Sequence, residues 1–200
     1  WETGTSFYLG GVYQSTDSLY VMKRERFVRI PGRTGSYATR MYGGIDAKLE
    51  IKTGLGKTVL RGEFIAGQQP GTATSTESPD TDKLPDNIPE NDLFRRKFLG
   101  WNLYFIQHLF NSTHTVVFRY DGYTPNRKIR GNEIGRPGTF TGAADLRQQN
   151  FGIGYIFQFI PQARLMAYYN FAFNEKSPYV PGYTQHRKAN VFTLRLQYAF

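Results

Sequence analysis

Apolar and polar residues alternate one by one along eight stretches of the chain, at about 6–14, 38–52, 57–69, 97–109, 114–123, 146–159, 164–174 and 190–200. Successive side chains of a strand point to opposite faces, so each stretch predicts a β-strand with one greasy and one polar side. The last stretch is the clearest: Phe192, Leu194, Leu196, Tyr198 and Phe200 share one side, and Thr193, Arg195 and Gln197 share the other. Ile45, Ala47, Leu49 and Ile51 alternate with Asp46, Lys48, Glu50 and Lys52, while Leu60, Gly62, Phe64 and Ala66 alternate with Arg61, Glu63 and Ile65. Trp101, Leu103 and Phe105 oppose Asn102, Tyr104 and His108; Val116, Phe118 and Tyr120 oppose Arg119 and Asp121; Phe151, Ile153, Tyr155 and Phe157 oppose Asn150 and Gln158. Ala167, Tyr169, Phe171 and Phe173 oppose Arg164, Tyr168, Asn170 and Asn174. The first stretch assigns no clear facing.

The connectors alternate in length. Gly54-Leu55-Gly56, Asn111-Ser112-Thr113 and Pro161-Gln162 have the residue types of tight turns, whereas 15–37, 70–96, 124–145 and 175–189 are long and polar. Short turns on one rim and long loops on the other is the asymmetry of an antiparallel outer-membrane barrel, which turns its apolar side to lipid and its polar side to a wet interior. On that reading both chain ends lie on the periplasmic rim and 70–96 lies outside the cell. The inward charges are then the bases Lys48, Lys52, Arg61, Arg119, Arg164 and Arg195 and the acids Asp46, Glu50, Glu63 and Asp121.

The hairpin around Gly54 admits two registers. A type II′ turn with Gly54-Leu55 at its centre sets Leu49 opposite Leu60 and Ile45 opposite Phe64, but Asp46 opposite Glu63. A turn at Leu55-Gly56 pairs Lys48 with Glu63 and Glu50 with Arg61. The two differ by two residues, so both keep the same faces.

Composition sharpens the class. Mean hydropathy is −0.50, and no apolar run approaches the roughly 18 residues of a spanning helix. The 14 Tyr, 16 Phe and 21 Gly favour pleated ladders with interfacial aromatic girdles. Cysteine is absent, which excludes disulfides and thiolate metal sites and suits an oxidising periplasm. No signal peptide is visible at Trp1 and no initiator Met precedes it, so a mature form or a piece of a longer chain is expected. The net charge of +9 comes from dispersed Lys and Arg without a nucleic-acid-binding signature. Bases facing a water-filled lumen would instead attract small anions, and nucleic acid is not expected as a partner.

Several motifs have plain readings. Gly56-Lys57-Thr58 resembles the end of a phosphate-binding loop, but Ile51 stands where that loop needs Gly and no helix follows. Asn111-Ser112-Thr113 reads as a turn before a glycosylation site, and the acids Asp80, Asp82, Asp86, Glu90 and Asp92 read as a solvated loop lacking EF-hand spacing. His108 and His114 flank Ser112 with no acid placed to complete a nucleophilic set, and His186 sits in a loop beside Arg187 and Lys188. No enzymatic activity, cofactor or metal is expected.

The segments Leu60-Arg-Gly-Glu-Phe-Ile-Ala-Gly-Gln-Gln-Pro-Gly-Thr72, Val117-Phe-Arg-Tyr-Asp-Gly-Tyr-Thr-Pro-Asn126, Gly142-Ala-Ala-Asp-Leu146, Leu165-Met-Ala-Tyr-Tyr169 and Leu194-Arg-Leu-Gln-Tyr-Ala-Phe200 resemble the C-terminal half of Bacteroidota porins akin to phosphate-selective porins. The resemblance runs from about Ala38 onward and rests on strand and loop patterns. It implies an outer-membrane barrel of about sixteen strands, a setting in which a trimer or a membrane-complex partner can form, and anion selectivity carried by Arg61, Arg119 and Arg195. The chain is then the C-terminal portion of a longer barrel. Alternatively, it closes by itself as an eight-stranded barrel, plugged by its own side chains and serving as an anchor or assembly subunit.

Overall fold

A computed structural model of the chain describes residues 1–78, 92–110, 113–187 and 189–199. Within them the protein is all-β, with ten strands: β1 Glu2–Tyr13, β2 Ser18–Lys23, β3 Arg26–Pro31, β4 Tyr37–Thr53, β5 Gly56–Gly71, β6 Leu93–Leu109, β7 His114–Thr124, β8 Gln148–Ile160, β9 Ala163–Asn174 and β10 Val191–Tyr198. Eight of them lie side by side in the order β1-β4-β5-β6-β7-β8-β9-β10, each antiparallel to its neighbours. These eight are the alternating stretches of the sequence.

The remaining two correct an expectation. Residues 15–37 are not a plain polar connector but contain the β2–β3 hairpin, which raises the strand count from eight to ten. The hairpin leaves β1, passes β4 and β5, and lays β2 parallel to the start of β6, Leu19–Val21 against Leu93–Arg95. Its turn gives no local signal, since Arg24 adopts φ 54° where Gly or Asn is usual. Its strands are short and charged, and adjacent apolar residues such as Leu19, Tyr20, Val21 and Met22 blur the alternation.

The Gly54 hairpin takes the first of the two registers: Asp46 faces Glu63, Lys48 faces Arg61 and Lys52 faces Lys57. The turn is nevertheless not the expected type II′, because the positive φ falls on Gly56 (129°) and not on Gly54. Gly56 is required twice over, as a Cβ there would lie 2.2 Å from the His108 carbonyl oxygen. Register also settles the strand whose facing the sequence left open. Gly4 lies opposite Asp46 and Ser6 opposite Gly44, so Glu2, Gly4, Ser6 and Tyr8 join the polar side while Phe7 and Leu9 join the apolar one.

β1 and β10 are the sheet's two edges and do not pair with each other, so the described strands form an open sheet. The closed eight-stranded barrel considered above is not formed. Among the described residues nothing covers the apolar side: Ile45 is 60% exposed, Phe64 44%, Phe151 40% and Leu194 62%. In water such side chains forgo part of the roughly 1.5–3 kcal/mol that full burial of each contributes, so this side is an extended exposed apolar patch.

The buried core lies instead at the long-connector end. Val12, Ala38, Leu19 and Leu93 form one cluster with Val21 and Ile30 against it. Ile129, Ile134, Leu146 and Val180 form a second, joined by Met22 and Tyr183. Val12 and Ala38 share the polar-side register of β1 and β4, so the hairpin packs onto that side of the sheet rather than the apolar one. Asp17 anchors its base, with Ser18 Oγ donating at 2.8 Å and Arg29 pairing at 2.9 Å. The Ser18 hydroxyl, followed by the Arg29 guanidinium, holds the Asp17 carboxyl below the usual carboxylate range.

Candidate functional site

Antiparallel pairing places the polar-side residues of successive strands in rows across the sheet. One row runs Glu2, Lys48, Arg61, Tyr104, Arg119 through β1, β4, β5, β6 and β7. The next runs Gly4, Asp46, Glu63, Asn102, Asp121, Asn150 and reaches β8. A basic row therefore lies beside an acidic row, two residues along each strand, which is about 7 Å.

Between β1 and β6 the two rows line a cleft of about 610 Å³, with Glu2, Asp46, Lys48, Arg61, Glu63 and Asn102 among its walls. Lys48 Nζ is shared between Glu50 at 2.9 Å and Glu2 at 3.4 Å, and Lys57 approaches Glu50 at 3.6 Å. Arg119 Nε lies 2.7 Å from Asp121 Oδ1, and Asn150 donates to Asp121 Oδ2 at 2.9 Å. The Arg119 guanidinium also sits 5.9 Å from the centre of the Tyr104 ring. The side chains of Asp46, Glu63 and Arg61 make no hydrogen bond or ion pair among the described residues.

Of the inward charges expected from the sequence, Asp46, Lys48, Glu50, Arg61, Glu63, Arg119 and Asp121 share one face of β4, β5 and β7, and Asp46, Lys48, Arg61 and Glu63 among them line the cleft. Lys52 lies toward the short turn, opposite Lys57. Arg164 and Arg195 stand apart on β9 and β10, where Arg164 donates twice to Gln197 Oε1 at 3.0 and 2.8 Å. Four polar-side charges were missed, among them Arg96, which lies opposite Gln69 in the polar-side register but was assigned to the connector before β6. Glu2 was hidden by the unclear facing of β1; Lys57 and Arg40 share the parity of Arg61 and Lys48 and were legible by extending it. Arg40 lies 5.5 and 5.6 Å from the ring centres of Tyr8 and Tyr42.

The three histidines are not gathered into a catalytic set. His108 Nδ1 meets Thr115 Oγ1 at 3.0 Å, His114 Nδ1 meets Tyr155 Oη at 2.6 Å, and His186 Nδ1 meets the Asn174 carbonyl oxygen at 2.9 Å. Most of the acidic loop, Asp80 to Glu90, lies outside the described residues, as do Asn111, Ser112, Lys188 and Phe200. Asp92 is described and accepts from Thr16 Oγ1 at 2.8 Å.

Above the rows the long connectors are held together from inside. Arg96, 2% exposed, donates through Nε to Asp145 Oδ1 at 2.9 Å and through Nη1 to the Thr72 carbonyl at 2.8 Å. Asn126 Nδ2 donates to the same Asp145 oxygen at 2.9 Å, and the Gly142 amide to Oδ2 at 3.0 Å. The Arg96 guanidinium also lies 5.3 Å from the Phe27 ring centre, which brings in the β2–β3 hairpin. Compared with known family models, curated proteins and solved structures, the chain gives no match.

Proposed function

We propose that these strands form part of the wall of an outer-membrane porin, a passive diffusion channel for small hydrophilic solutes with a preference for anions such as phosphate. One observation carries this reading: the same eight strands leave a continuous apolar side uncovered and gather ionised side chains on the other. A soluble sheet would bury the first and expose the second, whereas a lipid-facing wall around water needs the arrangement seen here. Strand length agrees, since β4 and β6 at 17 residues and β5 at 16 exceed the roughly 9–11 residues that cross a bilayer.

The open edges favour a wide channel over the plugged anchor. Eight strands closed on themselves leave room only for side chains, while a barrel of about sixteen strands encloses water. Arg40, Lys48, Lys52, Lys57, Arg61, Arg119, Arg164 and Arg195 on the polar side exceed Glu2, Asp46, Glu50, Glu63 and Asp121, which would draw anions toward the channel. The decisive experiment is single-channel recording in planar bilayers under a salt gradient. Open steps with an anion-preferring reversal potential are expected; a protein that inserts and passes no current would overturn the proposal.

A further inference from the structure

The register of β4 and β5 sets like charges side by side. Asp46 lies directly opposite Glu63 and Lys48 directly opposite Arg61, although a slip of two residues would pair Lys48 with Glu63. Directly opposed side chains have Cβ atoms about 4.5–5.5 Å apart, where like charges repel. Within the cleft the rows do not neutralise each other at contact, since neither Asp46 nor Glu63 has a basic nitrogen within ion-pair distance among the described residues; beyond it, on β7, Arg119 and Asp121 do pair. The cleft therefore has an acidic half and a basic half.

Each half has open valences of the matching kind. Besides the two carboxylates, the acidic half holds Asn102 Oδ1, a buried acceptor with no donor. Gly4, opposite Asp46, leaves the room its carboxylate occupies, because a Cβ there would lie 2.5 Å from Asp46 Oδ1. The basic half offers the unengaged Arg61 guanidinium with Tyr104 beside it, and Lys48, whose ammonium is already shared between Glu50 and Glu2 at the cleft wall. Acceptors alone suit an ammonium group, and a guanidinium fork with an ammonium suits a carboxylate. A solute of one charge finds its match in only one half of this cleft.

We propose that the cleft binds dipolar solutes, short peptides being the fitting class. Their ammonium would rest on Asp46 and Glu63, and their carboxylate on Arg61 and Lys48. The role of such binding in transport rests on the porin reading above; the binding itself does not.

The test is calorimetric titration of the full chain in detergent micelles with glycylglycine, N-acetylglycine and glycinamide, which carry both charges, the negative one alone and the positive one alone. Glycylglycine should bind about tenfold more tightly than either, as losing one charge-assisted contact implies. Asp46→Asn combined with Glu63→Gln should reduce glycylglycine to the level of N-acetylglycine, and Arg61→Gln should reduce it to that of glycinamide. Equal affinities, tighter binding of N-acetylglycine, or no binding would overturn the proposal. Bilayer conductance without glycylglycine binding sinks only this inference; binding without conductance sinks the porin reading and leaves the cleft.

Discussion

Arg96 Nε and Asp145 Oδ1 meet at 2.9 Å with both side chains almost wholly enclosed, joining the start of β6 to the loop before β8. Removing one partner of such a pair strands a charge in a dry site and typically costs about 3–5 kcal/mol. Arg96→Met should therefore loosen the long connectors, seen as faster limited proteolysis within 124–147 and a lower Tm. Pairing it with Asp145→Leu should recover part of the loss.

Trp101 lies over Gly122 on the neighbouring strand, where a Cβ would come within 2.3 Å of the indole Cζ2. Gly122→Val should displace the ring and cost about 1–3 kcal/mol by overpacking. In a Trp1→Phe background only Trp101 reports, and brominated lipid should quench it in the parent protein and less in Gly122→Val. Absence of quenching in the parent would place the apolar side away from lipid.

Arg61, Arg119 and Arg195 should not contribute equally to ion preference. Arg119→Gln removes a base and also frees Asp121, its partner at 2.7 Å, so it should shift the reversal potential furthest toward cations. Arg61→Gln should act next, and Arg195→Gln, exposed on the edge strand, least. Unchanged permeability ratios in all three would remove these residues from the anion path.

Asp46→Asn should stabilise the protein while weakening any dipolar ligand. It relieves the direct opposition to Glu63, worth about 0.2–1 kcal/mol for a cross-strand pair. A raised midpoint in urea unfolding from detergent checks it.

The base of the β2–β3 hairpin should loosen in acid. The Asp17 carboxyl is held low by Ser18 and Arg29, so its contribution is complete above the ordinary carboxylate range and is lost as pH falls through its lowered value. The pair is exposed, so the effect is small and weakened by salt. Proteolysis of the hairpin should accelerate in acid, and Asp17→Asn should be fast at every pH.

For the eight sheet strands, the facing of β1 apart, position and facing were legible because alternation is a local property: from Ile45 to Lys52, side chains report their own side whatever they pair with. Pairing was not, and the Gly54 turn shows why: electrostatics favoured one register, while the structure adopts the one that opposes Asp46 to Glu63. The parts invisible in the sequence are the non-local ones. Arg96 and Asp145 are 49 residues apart and nothing near either announces the other. The β2–β3 hairpin escaped because six-residue strands joined through Arg24 lack both period and turn chemistry.

The bare flanks of β1 and β10 govern how such a wall can be made. Hydrocarbon offers nothing for an unmet amide or carbonyl to bond, at a cost of several kcal/mol per group. If the sheet is to enter lipid as the porin reading requires, the joining of both margins must coincide with that entry, and until then its greasy side would need cover.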